Sequence, residues 1–260
     1  MILDKIVNAT ITRIEKAKNN ISLQEMMRLA GIKDTPFSFE NALKKKDISF
    51  ICEVKKASPS KGIISDCFPY IKIAREYEEA GADAISVLTE PVFFMGSVDH
   101  LKDIKQNVSI PVLQKDFIID EYQIYEANVI GANAILLICA ILSSSKLKKF
   151  IKTADSLGLS CIVEVHDKQE VKKAINAAAR IIGVNNRNLK TFEVNMNNSI
   201  KLRGLVTKNI IFVSESGIRT KEDIKALREI ETDAVLIGET FMRSSHIKAD
   251  IHELRGVCID

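Results

Sequence analysis

The stretch ISFICEVKKASPSKG (48–62) decides how the rest of the chain is read. From Ile48 to Lys56 it is apolar on both alternating faces until Glu53 and Lys55 interrupt one of them, and then Ser, Pro and Gly form a polar loop. A strand that is buried on both sides reads this way, and such strands belong to parallel sheets covered by helices. The pattern returns as ADAISVLT (82–89), PVLQKDF (111–117), NAILLICA (133–140), SCIVEVH (160–166), RIIGVNNR (180–187), NIIFVSES (209–216) and DAVLIGET (233–240). Successive starts lie roughly 20–35 residues apart, enough for a strand, a three-turn helix and two short loops, so each strand pairs in parallel with the next through a helical crossover. Eight such units predict an α/β chain closed into a single (β/α)8 barrel, with an open doubly wound sheet as the alternative.

Residues 1–47 precede the first strand and read as two or three helices, an N-terminal extension that either caps the barrel floor or flanks its mouth. The barrel takes 48–260, and the whole chain, 1–260, is expected to be one domain. Helix punctuation supports the frame. Ser22-x-x-Glu25, Asp120-x-x-Gln123, Asp167-x-x-Glu170 and Thr220-x-x-Asp223 place a capping oxygen before an amphipathic stretch, and Gly31, Gly81, Gly131 and Gly158 supply left-handed stops. EAGADAISVL (79–88) and NVIGANAILL (128–137) are near-copies at two helix-to-strand joints.

Composition bounds the function. With 260 residues, 46% of them apolar and 27% charged, the chain is neither disordered nor collagen-like. Thirty-seven Lys and Arg against 34 Asp and Glu are too near balance to imply a nucleic-acid partner, and the Lys clusters at 44–46 and 146–149 read as solvated helix surface. The longest apolar run, Ala134–Leu142, is far short of the ~20 residues of a membrane span. The N-terminal segment mixes charge into its apolar residues and does not read as a secretory signal. Cys52, Cys67, Cys139, Cys161 and Cys258 are odd in number and widely spaced, which predicts reduced thiols and a cytoplasmic location.

In a barrel of this kind the active site lies at the C-terminal ends of the strands. Glu53 and Lys55 share one face of the first strand; Lys115 and Phe117 end the third, Glu164 the fifth, Asn185 and Arg187 the sixth, Glu215 and Ser216 the seventh. One such group alone is more often a rim salt bridge than a catalyst. Five strands that each end an apolar run with one predict two lysines and three glutamates confined at a low-dielectric mouth, a source of a general acid and a general base. A desolvated lysine flanked by a second one is expected to have a lowered pKa. The loops SPSKG (58–62), SESGI (214–218) and LIGET (236–240) put hydroxyls and backbone N–H groups where an anion such as phosphate binds. Phe93, Phe94, Phe117 and Leu136 offer an apolar wall, or plain core packing. The chain has no nucleophile elbow, no dinucleotide fingerprint and no P-loop. Its four histidines have no metal spacing, and His166 is as much a helix N-terminal neighbour as a ligand. No metal and no cofactor are therefore expected.

Taken together, EVKKASPSKG (53–62), LTEPVFFMGS (88–97), LQKDFIID (113–120), EVHD (164–167), GVNNRNL (183–189), VSESGI (213–218) and LIGETFMR (236–243) resemble the indole-3-glycerol phosphate synthase family, in order and over nearly the whole chain. The resemblance implies a cofactor-free carboxy-lyase of tryptophan biosynthesis. It would convert 1-(2-carboxyphenylamino)-1-deoxyribulose 5-phosphate to indole-3-glycerol phosphate with loss of carbon dioxide and water. By motif it makes Lys115 the general acid at the ribulose carbonyl, gives Glu164 the later proton transfers, and pairs Lys55 with the substrate carboxylate. Glu53 and Asn185 would orient these groups, with Glu215 and Ser216 lining the same mouth. Phosphate would sit on Ser58, Ser216, Gly217, Gly238 and Glu239 with Arg187 nearby, and Phe94, Phe117 and Leu136 would hold the ring. Cys52 and Asn188 depart from the family's commoner residues at positions given no chemistry. The rivals are a phosphoribosylanthranilate isomerase-like barrel and a catalytically silent binding barrel. The expected partner is the small phosphorylated substrate, with no nucleic acid or membrane; a monomer, a weak homodimer and association with other enzymes of the pathway all stay open.

Overall fold

The computed structural model describes residues 2–256, so Cys258 and the end of the 48–260 segment lie outside the described residues. Eight strands, β1 (Ser49–Val54), β2 (Ala84–Leu88), β3 (Val112–Lys115), β4 (Ala134–Ile138), β5 (Ser160–Val165), β6 (Ile181–Asn185), β7 (Ile211–Glu215) and β8 (Ala234–Ile237), each fall inside one of the sequence runs. They pair in parallel with their sequence neighbours, and β8 returns to β1 through the register Ser49↔Ala234 to Cys52↔Ile237. That closing ladder rules out the open sheet. A short hairpin, Ala57–Ser58 with Gly62–Ile63, rises from the loop after β1.

The two faces of each strand have different neighbours. Phe50, Cys52 and Val54, Ile85 and Val87, Ile135 and Leu137, Val163 and Val165, Ile182 and Val184, Phe212, Val235 and Ile237 point outward into the large core shared with the helices. Ile51, Ala84, Leu113, Ala134, Ile162, Ile181, Ile211 and Ala234 point inward and form one apolar cluster inside the barrel. Above it the inward positions on β1, β3, β5, β6 and β7 become Glu53, Lys115, Glu164, Asn185 and Glu215. The floor of the barrel is therefore a packed core, and the polar groups collect at the other end.

The helices are α1 (Ile2–Asn20), α2 (Leu23–Leu29), α3 (Ser38–Ala42), α4 (Tyr70–Glu79), α5 (Val98–Asn107), α6 (Glu121–Val129), α7 (Ser144–Ser156), α8 (Lys168–Asn176), α9 (Asn197–Arg203), α10 (Lys221–Glu229), α11 (Glu239–Met242) and α12 (Ile247–Arg255). Ser22, Asp120, Asp167 and Thr220 are N-caps as expected, with full capping boxes at Asp120 and Thr220. Gly81, Gly131 and Gly158 have φ of +84°, +95° and +73°. Gly31 does not follow them. Ala30 leaves α2 in extended backbone, so no left-handed residue is needed there, and Gly31 exchanges two hydrogen bonds with the Asn128 side chain, N to Oδ1 at 3.1 Å and O from Nδ2 at 2.9 Å. The near-copied joints do the same work: Asp83 accepts from Phe50 N (2.7 Å) and Asn133 from Val112 N (3.0 Å), and Asp233 repeats it on Phe212 N (2.7 Å). In each case a polar residue before a strand satisfies the start of the preceding strand.

The N-terminal extension reaches both ends of the barrel. α3 plugs the floor, where Phe39 and Leu43 join the inner cluster and Arg180 pairs with Glu40 at 2.7 Å. The first residues of α1 meanwhile stand at the mouth. Because Phe39 is fully buried among the inner strand residues, Phe39→Ala is expected to cost about 3–5 kcal/mol of stability. Chemical denaturation would show that loss, while turnover per folded molecule stays near that of the parent, the cavity being at the far end from the mouth. Among the described residues no helix is long and apolar enough to cross a membrane.

Candidate active site

One cavity opens at the C-terminal ends of the strands. Glu53, Lys55, Ser58, Phe94, Lys115, Phe117, Leu136, Glu164, Asn185, Arg187, Glu215, Ser216, Gly217, Gly238 and Glu239 all line it, so the structure brings every residue to which the resemblance gives a role into one space. Phe93 is not among them, although its neighbour Phe94 is. The cavity is lined by strands on all sides because period-two alternation keeps the same face inward for two residues beyond each apolar position.

Two ion-pair groups share the mouth. Lys55, just past the end of β1, pairs with Glu53 on that strand. Lys115 Nζ lies 3.0 Å from Glu215 Oε2 and 3.5 Å from Glu164 Oε2. Glu53, Glu164 and Glu215 are almost wholly buried, while the two lysine side chains keep 15–17% of their surface exposed. Asn185 Oδ1 accepts from Arg187 N at 2.9 Å, which holds the chain in a tight turn beyond β6.

These neighbours overturn the expectation of a lowered Lys115 pKa. Burial alone would lower it, but Glu215, Glu164 and Glu53 outweigh burial and raise it above the ordinary lysine value. The second lysine is neutralised by its own glutamate and does not repel the first effectively. Burial would likewise raise Glu53, yet Lys55 and Lys115 hold it below the usual carboxylate value. Glu215 goes the other way: burial raises it, Glu164 and Glu53 add to the rise, and Lys115 opposes it. Its Oε1 is buried without a partner.

Two glycines make room for these carboxylates. A Cβ on Gly183, inward on β6, would collide with the Glu215 carboxylate and lie 2.9 Å from Ile162 Cγ2. A Cβ on Gly238 would collide with the Glu53 carboxylate and stand 3.1 Å from Lys55 Nζ. Gly183→Ala is therefore expected to push Glu215 off Lys115 and to cost about 1–3 kcal/mol of stability through overpacking. A steady-state assay should show kcat reduced by roughly tenfold or more as the proton-transfer geometry is lost. Unchanged kcat in this variant would mean that the Glu215–Lys115 contact is idle.

At one side of the mouth Lys61, Arg187 and Arg243 converge on the Glu239 carboxylate at 3.4, 3.7 and 3.4 Å. Three cations against one carboxylate leave net positive charge beside Ser58 and the turn of Ser216 and Gly217, both of which have positive φ (+68° and +90°). The Glu239 side chain thus occupies cations, and any direct contact it makes with an anion must come from its backbone N–H. At the other side the Phe94 and Phe117 rings stand 5.9 Å apart.

Several residues that shape the site had no sequence signal of their own. Ile2, Leu3 and Ile6 of α1 join the lining. Arg13 of α1 reaches Asp116 Oδ1 at 2.7 Å, and Asp116 accepts from Thr89 Oγ1 and Phe117 N, so the helix is pinned to the residue after Lys115. Glu90 accepts from the backbone N–H of Val92, Phe93 and Phe94 and sets the loop that carries Phe94. The buried Asn186 bonds Ser214 Oγ, Ser216 O and Ser199, which fixes the turn after β7. Only the placement of Asp116, Glu90 and Asn186 inside the quoted motifs hinted at them. No group of three or more His, Cys, Asp or Glu among the described residues is arranged to hold a metal ion.

Fold and mouth together define a (β/α)8 barrel of the enzyme type, with buried lysine–glutamate pairs and a cationic rim at the C-terminal ends of its strands. Solved structures of the same fold include a 3-hexulose-6-phosphate synthase from Salmonella typhimurium, with a TM-score of 0.66, 14% identity, and 80% of this chain and 97% of that one covered. The tryptophan synthase α2β2 complex from Pyrococcus furiosus supplies another, with a TM-score of 0.62, 15% identity, and 82% and 99% covered. These likenesses show the architecture. A family profile described as indole-3-glycerol phosphate synthase matches residues 3–254. A protein of that description from Ruminiclostridium cellulolyticum is 61% identical over 98% of this chain and 99% of its own length. Another from Endomicrobium trichonymphae is 58% identical over 98% and 100%. The chain belongs to the indole-3-glycerol phosphate synthase family, whose members are carboxy-lyases of tryptophan biosynthesis.

Proposed function

We propose that the mouth binds 1-(2-carboxyphenylamino)-1-deoxyribulose 5-phosphate, with its phosphate at the cationic rim and its ring against Phe94, Phe117 and Leu136. The observation that carries this reading is the position of Lys115, held by two buried glutamates between that rim and that wall. Anchoring the substrate at both ends presses the ring carbon toward the ketone, and orientation of this kind is worth several kcal/mol of barrier. Attack places charge on the carbonyl oxygen, and the Lys115 ammonium donates a proton to it. An alkoxide is more basic than an amine, so a lysine of raised pKa still transfers its proton and is fully charged at neutral pH. Lys55 pairs with the substrate carboxylate, and Glu53 holds Lys55 in place. Carbon dioxide leaves once the ring is cationic. Glu164 then serves the proton transfers of dehydration, while Asn185, Glu215 and Ser216 set the geometry. Phosphate contacts come from Ser58, Arg187 and the backbone of Ser216, Gly217, Gly238 and Glu239.

These residues supply acid, base and electrostatic anchoring from protein groups alone, which supports a reaction without cofactor. The extension, 1–47, acts with the barrel as one unit, since α1 contributes to the mouth and α3 to the floor, and the odd, widely spaced cysteines suit the reducing cytoplasm. The test is to mix chelator-treated protein with the substrate and follow indole fluorescence, against the low background of a chain without tryptophan. A rise at the rate of untreated protein is expected. No rise from folded protein would overturn the reading.

A further inference from the structure

Glu164 faces two directions. Its Oε2 lies 3.5 Å from Lys115 Nζ, and its Oε1 lies 3.5 Å from His166 Nε2 on the far side of the carboxyl group. His166 follows directly on the last residue of β5, and its Nδ1 is 3.1 Å from Glu170 Oε2 in the first turn of α8. The same Glu170 oxygen accepts from His166 N at 2.7 Å, and Asn198 of α9 donates to His166 O, so the backbone that carries the imidazole is held by the elements on both sides of it. The Glu164 side chain is 4% exposed, whereas His166 and Glu170 are more open, at 19% and 18%. His166 Nε2 is buried and has no hydrogen-bond partner among the described residues, and it lies nearest the one oxygen of Glu164 that Lys115 does not use.

The proposed reaction needs such a line. Ring closure puts one proton on the carbonyl oxygen. Loss of carbon dioxide returns an electron pair to the ring and moves no proton. Dehydration takes a second proton as the hydroxyl leaves as water, and gives one back from the carbon beside the ring nitrogen. Each turnover therefore draws one proton from solvent, at a time when substrate fills the mouth.

We propose that Glu170 and His166 relay this proton to Glu164 through the barrel wall, an inference that rests on the reading of Glu164 as a proton-transfer group. The imidazolium passes its Nε2 proton to Glu164 Oε1, and Glu164 delivers one from Oε2 toward Lys115 or the leaving hydroxyl. The neutral ring left behind carries its proton on Nδ1; a turn about Cβ–Cγ brings that N–H to the Glu164 side and the bare nitrogen to the Glu170 side, where it takes up a proton from solvent by way of Glu170. The 3.5 Å separations are those of a resting site, in which catalytic hydrogen bonds are commonly long until substrate closes them. The charged groups facing His166 are Glu164, Glu170 and, further off, Glu215. Burial would lower its pKa, and these carboxylates outweigh burial and raise it above the ordinary imidazole value. His166 and Glu170 act through Glu164 and are positioning and supply groups rather than catalytic residues.

The test compares His166→Ala and Glu170→Gln with the parent. His166→Ala should lower kcat by roughly tenfold, less than loss of a primary acid or base, with KM little changed. Added imidazole should restore much of that rate in proportion to its concentration and leave the parent unaffected. Glu170→Gln keeps an acceptor for His166 N but cannot pass a proton. It should lower kcat and enlarge the solvent deuterium isotope effect without moving the thermal midpoint. If neither variant changes kcat, or if the loss resists imidazole and comes with a raised KM, the relay is wrong. Glu164→Gln separates the two ideas: near-parental kcat there would sink the reading of Glu164 itself, whereas an impaired Glu164→Gln beside a normal His166→Ala would sink the relay alone.

Discussion

Lys115→Ala is expected to lower kcat by about three orders of magnitude, within the range for loss of a positioned general acid, and to leave affinity for the phosphorylated product within a few fold. The split follows from geometry. Lys115 faces the carboxylate cluster, whereas the cations of the rim are Lys61, Arg187 and Arg243. Product binding by fluorescence titration and turnover by the indole signal separate the two quantities. Near-parental turnover would remove Lys115 from the acid role.

The same substitution carries a stability signature with a definite sign. Lys115 has a raised pKa in the fold, so in the parent its stabilising contribution is complete below the ordinary lysine value and is lost only as pH rises through the shifted one. Without it, the three buried carboxylates lose the cation they share. Glu215, already raised by burial and by Glu164 and Glu53, loses the opposing pull of Lys115 and rises further. A carboxyl group with a raised folded pKa makes the folded chain bind more protons than the unfolded one, so stability falls as pH climbs from the ordinary carboxylate value through the shifted value. Lys115→Ala should therefore lose thermal stability between mildly acidic and neutral pH more steeply than the parent does.

How far the sequence could be read depends on the kind of force at each position. The eight strands were legible because burial on both faces leaves continuous apolar runs, and the mouth was legible because Glu53, Lys115, Glu164 and Glu215 break those runs on the inward face. The caps at Ser22, Asp120, Asp167 and Thr220 are local and appear in the sequence as local signals. Gly31 was misread because a glycine after a helix has the same letter whether it turns left-handed or bonds a distant Asn128. The direction of the Lys115 shift was misread because alternation places a second lysine on the same face but does not show that Glu53 neutralises it. Arg13 and Asp116 lie 103 positions apart, and no spacing announces such a pair. Gly183 looked like an ordinary member of an apolar run, since the carboxylate that needs its missing Cβ arrives from the next strand. Contacts fixed by closure of the barrel are set by strand register, which the chain specifies only collectively.

Glu164→Gln should stop the reaction later than Lys115→Ala does. Lys115 acts at the first bond formed, so its loss leaves substrate intact and no carbon dioxide released. Glu164 touches Lys115 on one side and His166 on the other, a position suited to moving protons after the carbonyl oxygen has already received one. The amide keeps the size of the carboxylate but neither accepts the proton lost from carbon nor passes one on, so ring closure and decarboxylation proceed while dehydration is slowed by about a hundredfold. Under single-turnover conditions carbon dioxide should appear well before indole fluorescence, and a quenched sample should contain a species that has lost carbon dioxide but retains water. Simultaneous appearance of the two signals at a reduced rate would place Glu164 in the first step, where its effect would have to run through Lys115.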